Sequence, residues 1–240
     1  MKLIFIRHGD PDYKNDSLTE KGMIEAELLS ERVINWKDKI THIYVSPLGR
    51  ARKTCEYSLN KLGMEATELP WLKEFYYPTH HPEQNNEIHV PWDFYPGLWT
   101  KFDEAYDREN WVDMSLLNEN DIRSEAQNVY DSIDALLKEY GYIRSGGYYN
   151  TDGSDDDTTL VFYCHLGVSL LIIGHILGIS PFVLWHAVYV APTSVTVLGS
   201  EERKKGEAYF RIQFMGDTSH LRLNGEPASK SGYFTDCFQG

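Results

Sequence analysis

The sequence predicts an α/β protein: a three-layer α/β/α sandwich with a mostly parallel central sheet, helices on both faces and an aromatic-rich insertion over the C-terminal edge of the sheet. Two observations lead to this prediction. Short apolar runs, which are typical of buried strands, alternate along the chain with longer amphipathic segments, which are typical of helices. This alternation favours a parallel sheet covered by helices. One further stretch, rich in aromatic residues and prolines, follows neither period and predicts the insertion.

Each predicted element has a local signal. The apolar run from Leu3 to Ile6 gives the first strand, and Thr19 can cap the helix that follows. Gly146 and Gly147 begin a predicted loop that reaches the acidic run 155–157. The predicted strands are 2–7, 40–45, 66–72, 159–164, 193–199 and 207–215. The predicted helices are 19–36, 48–62, 122–140 and 168–177.

The predicted insertion spans about residues 75–118, where ten aromatic side chains are interspersed with prolines. We expect it to be partly helical after Gly97. One interpretation is a satellite core beneath a surface loop, and the other is a lid that shapes a ligand pocket. The whole chain, residues 1–240, is predicted to form one domain that carries this insertion as a cap.

Composition limits the possible partners. The formal net charge is −13, which argues against nucleic acid, because phosphate backbones require basic surfaces. A small anionic substrate remains compatible with this charge, since a few arginines in a cleft outweigh a distant acidic surface. No segment approaches the roughly 20 apolar residues that span a bilayer, so no membrane association is predicted. The sequence carries no signal for the number of subunits.

The cysteines and histidines outside the strand ends suggest no metal site or disulfide framework. Cys55, Cys164 and Cys237 are odd in number and irregularly spaced. The first apolar run ends at Arg7 after four residues, which does not fit a signal peptide, so we expect a cytoplasmic, reducing location. A histidine group lies among prolines without the spacing of metal ligands, at His80, His81 and His89.

Three predicted strand ends carry groups that bind anions. Arg7 ends the first strand and His8 follows it, Arg50 lies in the first turn of the helix after the second strand, and His165 follows the strand 159–164. The carboxyl ends of parallel strands meet at one edge of a sheet, where open α/β sheets bind ligands. Arginines hold phosphate oxygens in pairs of hydrogen bonds, and helix N-termini favour negative charge. The sequence therefore predicts a phosphate site at this edge.

The same residues carry a family resemblance. The chain resembles the histidine phosphatase superfamily, also called the phosphoglycerate mutase-like superfamily, in the order and spacing of its motifs over most of its length. The aromatic insertion and about the last 25 residues lie outside the resemblance. The matching segments are Arg7-His8-Gly9, Leu18-Thr19-Glu20-Lys21-Gly22, Ser46 to Ala51 with Thr54, Leu72-Lys73-Glu74, and His165-Leu166-Gly167.

The resemblance implies a role for each matching residue. His8 would be the nucleophile that accepts the phosphoryl group as a phosphohistidine, which divides one difficult step into two. Arg7, Arg50 and His165 would hold the phosphoryl oxygens and stabilise the transition state. Glu74 would be the proton donor, which functions best with a raised pKa and is therefore expected to lie partly desolvated beneath the insertion. No cofactor and no metal are implied.

The chain also departs from the family pattern. Leu166 stands where many members have a second glycine, although its backbone N–H remains able to bind phosphate. Many members have an asparagine where this chain has Lys14, and Asn15 comes one residue later, so either side chain is a candidate phosphate contact. Other carboxylates are open alternatives to Glu74, namely Asp10, Glu83 and Glu87.

Three functions fit these motifs. The first is a phosphomonoester hydrolase acting on a small phosphorylated substrate, with Trp92, Tyr95 and Trp99 stacking on its organic body. The second is a phosphoglycerate mutase, an isomerase that uses the same phosphohistidine. The segment Asp10 to Tyr13 lacks the Glu-Ser-x-Trp-Asn sequence that the glycolytic mutases carry there, which favours the hydrolase. The third is a non-catalytic phospho-ligand binder, which would require the loss of a core residue.

Overall fold

The predicted strand ends meet at one edge of a mixed sheet. The computed structural model describes residues 1–117, 121–152, 157–233 and 235–236. Residue 118 of the predicted insertion, part of the predicted acidic loop and Cys237 lie outside the described residues.

The strands are β1 (Lys2–Arg7), β2 (Pro11–Asp12), β3 (Ser17–Leu18), β4 (His42–Val45), β5 (Thr67–Glu68), β6 (Thr79–His81), β7 (Glu87–His89), β8 (Ile143–Ser145), β9 (Tyr148–Asn150), β10 (Thr159–Cys164), β11 (Val195–Lys204) and β12 (Glu207–Asp217). The helices are α1 (Glu20–Val33), α2 (Gly49–Leu62), α3 (Pro96–Trp99), α4 (Ile122–Glu139), α5 (Leu166–Leu177), α6 (Pro181–Ala187) and α7 (Ser219–Arg222).

The main sheet has eight strands among the described residues, in the order β5-β4-β10-β1-β11-β12-β9-β8. The first four pair in parallel, and each later pair is antiparallel. Because β11 and β9 alone run against β1, six of these eight strands point the same way. Arg7 on β1 lies opposite Cys164 on β10, so His8 and His165 leave neighbouring strand ends together.

Helices cover both faces of this sheet, which confirms the predicted fold class. Alternate residues of β1 point to opposite faces, as the period of a strand requires. Ile4 and Ile6 join the core formed with α1 and α2. Leu3 and Phe5 join the larger core, which includes α4, α5, α6 and the insertion. The two cores are the interfaces between the three layers.

The predicted helix starts and stops follow local chemistry. The Thr19 hydroxyl accepts a hydrogen bond from the backbone N–H of Gly22, at 3.1 Å, and so caps α1 as predicted. The predicted helix 19–36 is too long, because α1 ends at Val33 and the chain continues as a 3-10 helix, Ile34–Lys39. Within the part that the structure describes, no helix is both long and apolar enough to cross a bilayer.

Two other predicted elements require correction. The predicted strand 66–72 is a strand only over β5, because Pro70 lacks a backbone N–H and begins a 3-10 helix instead. The predicted loop that begins at Gly146 starts instead as the turn and second strand of the hairpin β8–β9, with Gly146 in a left-handed conformation at the turn. After Gly97 the insertion is partly helical, as predicted, with the single turn of α3 followed by short 3-10 helices.

The insertion contains both a core and a surface. Phe94 and Trp111 are buried in the larger core, as expected for a satellite core. Tyr76, Tyr95 and Tyr106 are exposed, as a surface that meets solvent or ligand requires. The short strand pair β6–β7 and several 3-10 turns connect these residues. The buried aromatic residues therefore fit the satellite core, and the exposed ones fit a lid that shapes a ligand pocket.

A C-terminal tail, residues 226–233, packs against β1 and α1. Buried Glu25 on α1 accepts hydrogen bonds from the backbone N–H groups of Asp10, at 2.8 Å, and Ser229, at 3.1 Å. The Ser229 hydroxyl donates to the carboxylate of Asp10, and Lys21 forms an ion pair with Glu226. Glu25 therefore joins the chain after the first strand to the tail.

We expect the protonation of Glu25 to control part of the stability of the protein. Burial, followed by the nearby Asp10 carboxylate, raises the pKa of Glu25 from its ordinary value of 4.5 to about 7. The folded protein then binds this proton more tightly than the unfolded chain, so stability is lost as the pH rises through this window. Relative to Glu25→Gln, the wild type should lose about 3 kcal/mol of unfolding free energy between pH 4.5 and pH 8. Urea unfolding of both proteins across this range measures the difference, and parallel pH profiles would contradict the expectation.

Candidate active site

His8 directly follows β1, and one of its ring nitrogens is already in a hydrogen bond. Its side chain is buried, and Nδ1–H donates to the backbone carbonyl of Gly9 at 2.7 Å. The neutral ring therefore keeps a lone pair on Nε2. Glycine at position 9 is required by close approach, because a Cβ there would lie 2.7 Å from the carbonyl oxygen of Gly22. Because Nδ1 is occupied by the carbonyl of Gly9, Nε2 is the ring nitrogen of His8 that is available as a nucleophile.

The turn after His8 is connected to α2 through Thr54. The Thr54 hydroxyl accepts the backbone N–H of Gly9 at 2.9 Å and donates to the carbonyl of Arg50 at 2.8 Å. Arg50, in the first turn of α2, is held in turn by Asp16: Nη1 donates to Oδ1 at 2.7 Å. The other carboxylate oxygen of Asp16 accepts the N–H of Gly49 at 2.6 Å. Asp16 therefore orients both the guanidinium and the start of its helix.

The guanidinium of Arg7 is held by two backbone carbonyls. Its Nη1 donates to the carbonyl oxygens of Val190, at 2.9 Å, and Ser231, at 3.0 Å. The second contact brings the C-terminal tail against the site. Tyr189 supports this contact, since its hydroxyl donates to the carbonyl of Ser229 at 2.7 Å and its ring stacks on Tyr233 at 4.4 Å between centroids.

His165 precedes α5 and faces His8, with 5.1 Å between the ring centroids. Its Nε2 lies 2.7 Å from the hydroxyl of Ser46, and that hydroxyl also accepts the backbone N–H of Leu48 at 3.2 Å. The hydroxyl proton then has an acceptor only if Ser46 donates it to Nε2, which places the ring proton of His165 on Nδ1. Nδ1 is buried and has no hydrogen-bond partner among the described residues.

Electrostatics keep both imidazoles neutral. Burial, followed by the charge of Arg7, holds the pKa of His8 well below its usual value of 6.5. Burial, followed by the proximity of His8 and then of Arg50, does the same for the pKa of His165. At neutral pH His8 can therefore act as a nucleophile, and His165 can donate a hydrogen bond without adding charge.

Glu74 lies across the site at the N-terminus of α5. Its Oε1 accepts the backbone N–H groups of Phe75, at 2.9 Å, and Val168, at 3.1 Å. Burial raises the pKa of Glu74 in spite of these bonds, as expected for a proton donor. Trp92 of the insertion covers the same helix start, because a Cβ at Gly167 would lie 2.6 Å from its ring. The predicted desolvation of Glu74 beneath the insertion agrees with this geometry.

Two cavities open beside these residues. One, of about 880 Å³, has Arg50 and Glu74 in its wall. The other, of about 680 Å³, is lined by Leu166, Tyr95 and Trp99. Both cavities share wall residues from the insertion and the tail, namely Trp92, Asp93, Gly232 and Tyr233.

The structure does not bring one predicted residue to the site. Asn15 is exposed, and its side-chain amide donates to the carboxylate of Asp12 at 2.6 Å, so the prediction of a phosphate contact here requires correction. Lys14 is also exposed. Leu166 is the first residue of α5 and is buried, which leaves its backbone at the helix start. Asp16, next to Asn15, is the residue of this loop that holds an arginine of the site.

Sequence reasoning missed the residues that position the others. Ser46 and Thr54 lie inside the motifs, but the motifs alone gave them no partner. Asp16 gave no signal for its role either, since its partners Gly49 and Arg50 lie 33 and 34 positions further along the chain. The contact between the tail and Arg7 has no sequence signal, because 224 positions separate Arg7 from Ser231.

The motif order is matched by a family model. Residues 3–139 match the histidine phosphatase superfamily, branch 1. The chain belongs to this superfamily.

Relatives within the superfamily differ in their named activities. The 2,3-bisphosphoglycerate-dependent phosphoglycerate mutases of Brucella ovis and Brucella canis are 26% identical over 132 residues, which cover 51% of this chain and 49% of each relative. The match thus spans about half the length of these curated relatives. The site segment that contains His165 lies beyond the region matched by the family model.

Solved structures share the fold over nearly the whole histidine phosphatase chain. A phosphoserine phosphatase variant from Entamoeba histolytica, in complex with phosphoserine, has a TM-score of 0.59 at 19% identity and covers 92% of this chain and 98% of its own. A mycobacterial glucosyl-3-phosphoglycerate phosphatase has a TM-score of 0.56 at 18% identity and covers 90% and 98%. At these identities the likeness shows the fold.

We expect Ser46→Ala to weaken the histidine phosphatase site through His165. Without the hydroxyl, the ring of His165 loses the partner that holds its proton on Nδ1, and a donor to the phosphoryl group is misplaced. The kcat/KM for phosphate release should fall by about tenfold to a hundredfold. Ser30→Ala is the matched control, because Ser30 is also buried but its hydroxyl bonds within α1. Equal losses in the two variants would contradict this role of Ser46.

Proposed function

We propose that the protein is a phosphomonoester hydrolase that works through a phosphohistidine on His8. One observation carries the proposal. Three N–H groups at the site are buried and have no hydrogen-bond partner among the described residues, on Nε of Arg7, Nε of Arg50 and Nδ1 of His165. Buried polar groups are costly to leave unpaired, so this convergence is best accounted for by a bound phosphoryl group. The nucleophilic Nε2 of His8 belongs to the same group of side chains.

In the first half-reaction, Nε2 of His8 attacks phosphorus and the bond from phosphorus to the leaving oxygen breaks. Protonated Glu74 gives its proton to that oxygen, so the product leaves as a neutral alcohol. Because Oε1 accepts two backbone N–H groups, Oε2 is the oxygen that carries the proton. The guanidinium groups of Arg7 and Arg50 balance the charge on the phosphoryl oxygens throughout.

In the second half-reaction, water attacks the phosphohistidine. The carboxylate of Glu74 accepts a proton from this water as the new oxygen–phosphorus bond forms and the bond from phosphorus to Nε2 breaks. Inorganic phosphate leaves, His8 returns to its neutral form, and Glu74 is again protonated. Two transfers at one imidazole replace a direct attack of water on the ester.

The proposal extends to the domain organisation, the size of the substrate and the location of the enzyme. Residues 75–118 act as a cap of a single domain, residues 1–240, and Trp92 supports this assignment by covering the helix start beside Glu74. The substrate is a small phosphorylated molecule, and the enzyme acts in the cytoplasm, where the buried thiols Cys55 and Cys164 remain reduced.

The curated relatives favour a second candidate, phosphoglycerate mutase, over the matched half of the chain. A mutase returns the phosphoryl group from the histidine to a bound phosphoglycerate and must exclude water. The two activities separate when release of inorganic phosphate and transfer to 2-phosphoglycerate are measured in the same mixture. We expect phosphate release to dominate, and efficient transfer with little phosphate release would overturn the hydrolase.

Trapping of the intermediate separates the hydrolase from a phospho-ligand binder. Brief incubation with a ³²P-labelled phosphomonoester, followed by denaturation in alkali, should leave acid-labile label on the wild type. If the wild type releases no phosphate from a panel of sugar phosphates, nucleotides, phosphoglycerates and phosphopeptides, and acquires no label, the enzyme proposal fails.

A further inference from the structure

The larger cavity is the place for the leaving group. Glu74 donates a proton to the leaving oxygen in the proposed mechanism, so the leaving group must lie beside both Glu74 and the phosphate-binding Arg50. The cavity of about 880 Å³ has both side chains in its wall. This volume lies in the range of sites that enclose drug-sized ligands, far above the size of a three-carbon phosphoester.

The wall of this cavity is aromatic. Its rings come from three separate segments of the chain: the β2–β3 hairpin, the insertion and the C-terminal tail. They belong to Tyr13, Tyr76, Tyr77, Trp92 and Tyr233. Tyr13 is 66% exposed and Tyr76 is 60% exposed, so packing in the protein core does not account for these two rings. Aromatic rings at a cavity wall offer offset-stacked and edge-to-face contacts to a ring in the ligand.

The charges in the wall disfavour a second anionic group on the substrate. Apart from Arg50 and Glu74, the charged wall residues are Lys73, Asp93 and Glu125. Two carboxyl groups thus accompany a single ammonium group. Asp93 is half-buried, so a carboxylate from a ligand would lose hydration there without a guanidinium beside it. Within the described wall, Arg50 is the only guanidinium, and it is already assigned to the phosphoryl group.

We propose that the physiological substrate is a phosphomonoester whose leaving group carries an aromatic ring and no additional anionic group. This inference rests on the proposed hydrolase function and specifies its substrate class. The ring is held against the aromatic wall of the larger cavity, with the phosphoryl group between Arg50 and His8. Substrates that carry a carboxylate beside the phosphate, such as phosphoserine and 3-phosphoglycerate, are poor substrates for this chain.

The substrate test compares phosphate esters of primary alcohols, so that the chemistry of the leaving oxygen stays similar. Benzyl phosphate supplies a ring without a second anion, and phosphoserine and 3-phosphoglycerate supply a carboxylate without a ring. We expect kcat/KM for benzyl phosphate to exceed that for either carboxylated substrate by about tenfold or more. If a carboxylated substrate is preferred, the substrate class is wrong and the hydrolase stands. If none of the three releases phosphate, and the panel of sugar phosphates, nucleotides, phosphoglycerates and phosphopeptides is also inert, the hydrolase itself fails.

A pair of tyrosine variants tests the aromatic wall directly. Tyr76→Ala removes an exposed ring from the cavity wall, and we expect kcat/KM for benzyl phosphate to fall about threefold to tenfold, mainly through KM. The same variant should leave kcat/KM for 3-phosphoglycerate within twofold of the wild type. Tyr106→Ala is the matched control, since Tyr106 is 54% exposed in the same insertion and lines neither cavity. Equal effects of Tyr76→Ala on both substrates, or of both variants on benzyl phosphate, would overturn the proposal.

Discussion

Replacement of His8 by alanine is expected to lower phosphate release by roughly 10⁴-fold and to abolish the phosphoenzyme. The variant retains the donors of Arg7, Arg50 and His165, so it should still bind inorganic phosphate or vanadate. Chemistry is lost because the imidazole of His165, which faces His8, has its Nε2 bonded to Ser46 and so has no free lone pair to replace that of His8. The measurements are steady-state phosphate release and the acid-labile label after alkaline denaturation.

A matched histidine variant separates chemistry from stability. His175→Ala also removes a histidine, but this side chain lies near the end of α5 and its Nε2 forms a hydrogen bond with the carboxylate of Asp134 at 2.9 Å. It should lower the melting temperature and leave kcat largely intact. Retention of label by His8→Ala, or an equal loss of kcat in both variants, would show that His8 does not carry the phosphoryl group.

Replacement of Glu74 by glutamine is expected to lower kcat/KM, which reports the phosphorylation step, by roughly 10²- to 10⁴-fold for alkyl phosphates. Glutamine resembles the carboxyl group in shape and can accept the backbone N–H groups of Phe75 and Val168, but it has no proton to transfer at neutral pH. The loss should be much smaller for 4-nitrophenyl phosphate, because its leaving group departs as a stable anion without protonation. Comparison of this ester with benzyl phosphate in the wild type and the variant measures the difference.

The pH profile gives a second readout of Glu74. Burial raises its pKa, so the protonated form that donates persists to higher pH than for an exposed glutamate. Deprotonation above the raised pKa then produces the basic limb of the kcat/KM profile for benzyl phosphate, and Glu74→Gln should remove that limb. The lowered pKa of His8 keeps the nucleophile neutral well below pH 6.5. Equal losses on both esters, with an unchanged basic limb, would contradict the assignment of Glu74 as the proton donor.

The strand ends of the site could be predicted because their signals are local. An apolar run that stops at a charged or polar residue is visible in one stretch of sequence, as at Arg7 and at Cys164. The parallel pairing of β1 with β10 then follows from alternation of strands and helices, and it places His8 beside His165. Glu74 was harder to place, since it follows a 3-10 helix where a strand was predicted, and its family motif supplied the prediction.

The positioning contacts could not be predicted because they join distant segments through single hydrogen bonds. Ser46 and His165 are 119 positions apart, and neither residue type alone indicates its partner. Asn15 was predicted to contact phosphate, and no role was predicted for Asp16. In the structure Asp16 has a φ of 45° and its carboxylate binds Arg50. A one-residue difference in a loop conformation leaves no periodic pattern.

The order of strands in the sheet bears on how the protein is made. β10 lies between β1 and β4, but it is synthesised more than 100 residues after both of them. Until the ribosome has passed residue 164, the emerging chain contains the apolar strands β1 and β4 but not β10, which pairs with both. Their unpaired edges are prone to mispairing and aggregation. The segment that carries the family match, residues 3–139, cannot complete its own sheet. We therefore expect a nascent chain of that length to require chaperone protection, and the catalytic centre to fold only after β10 has been synthesised.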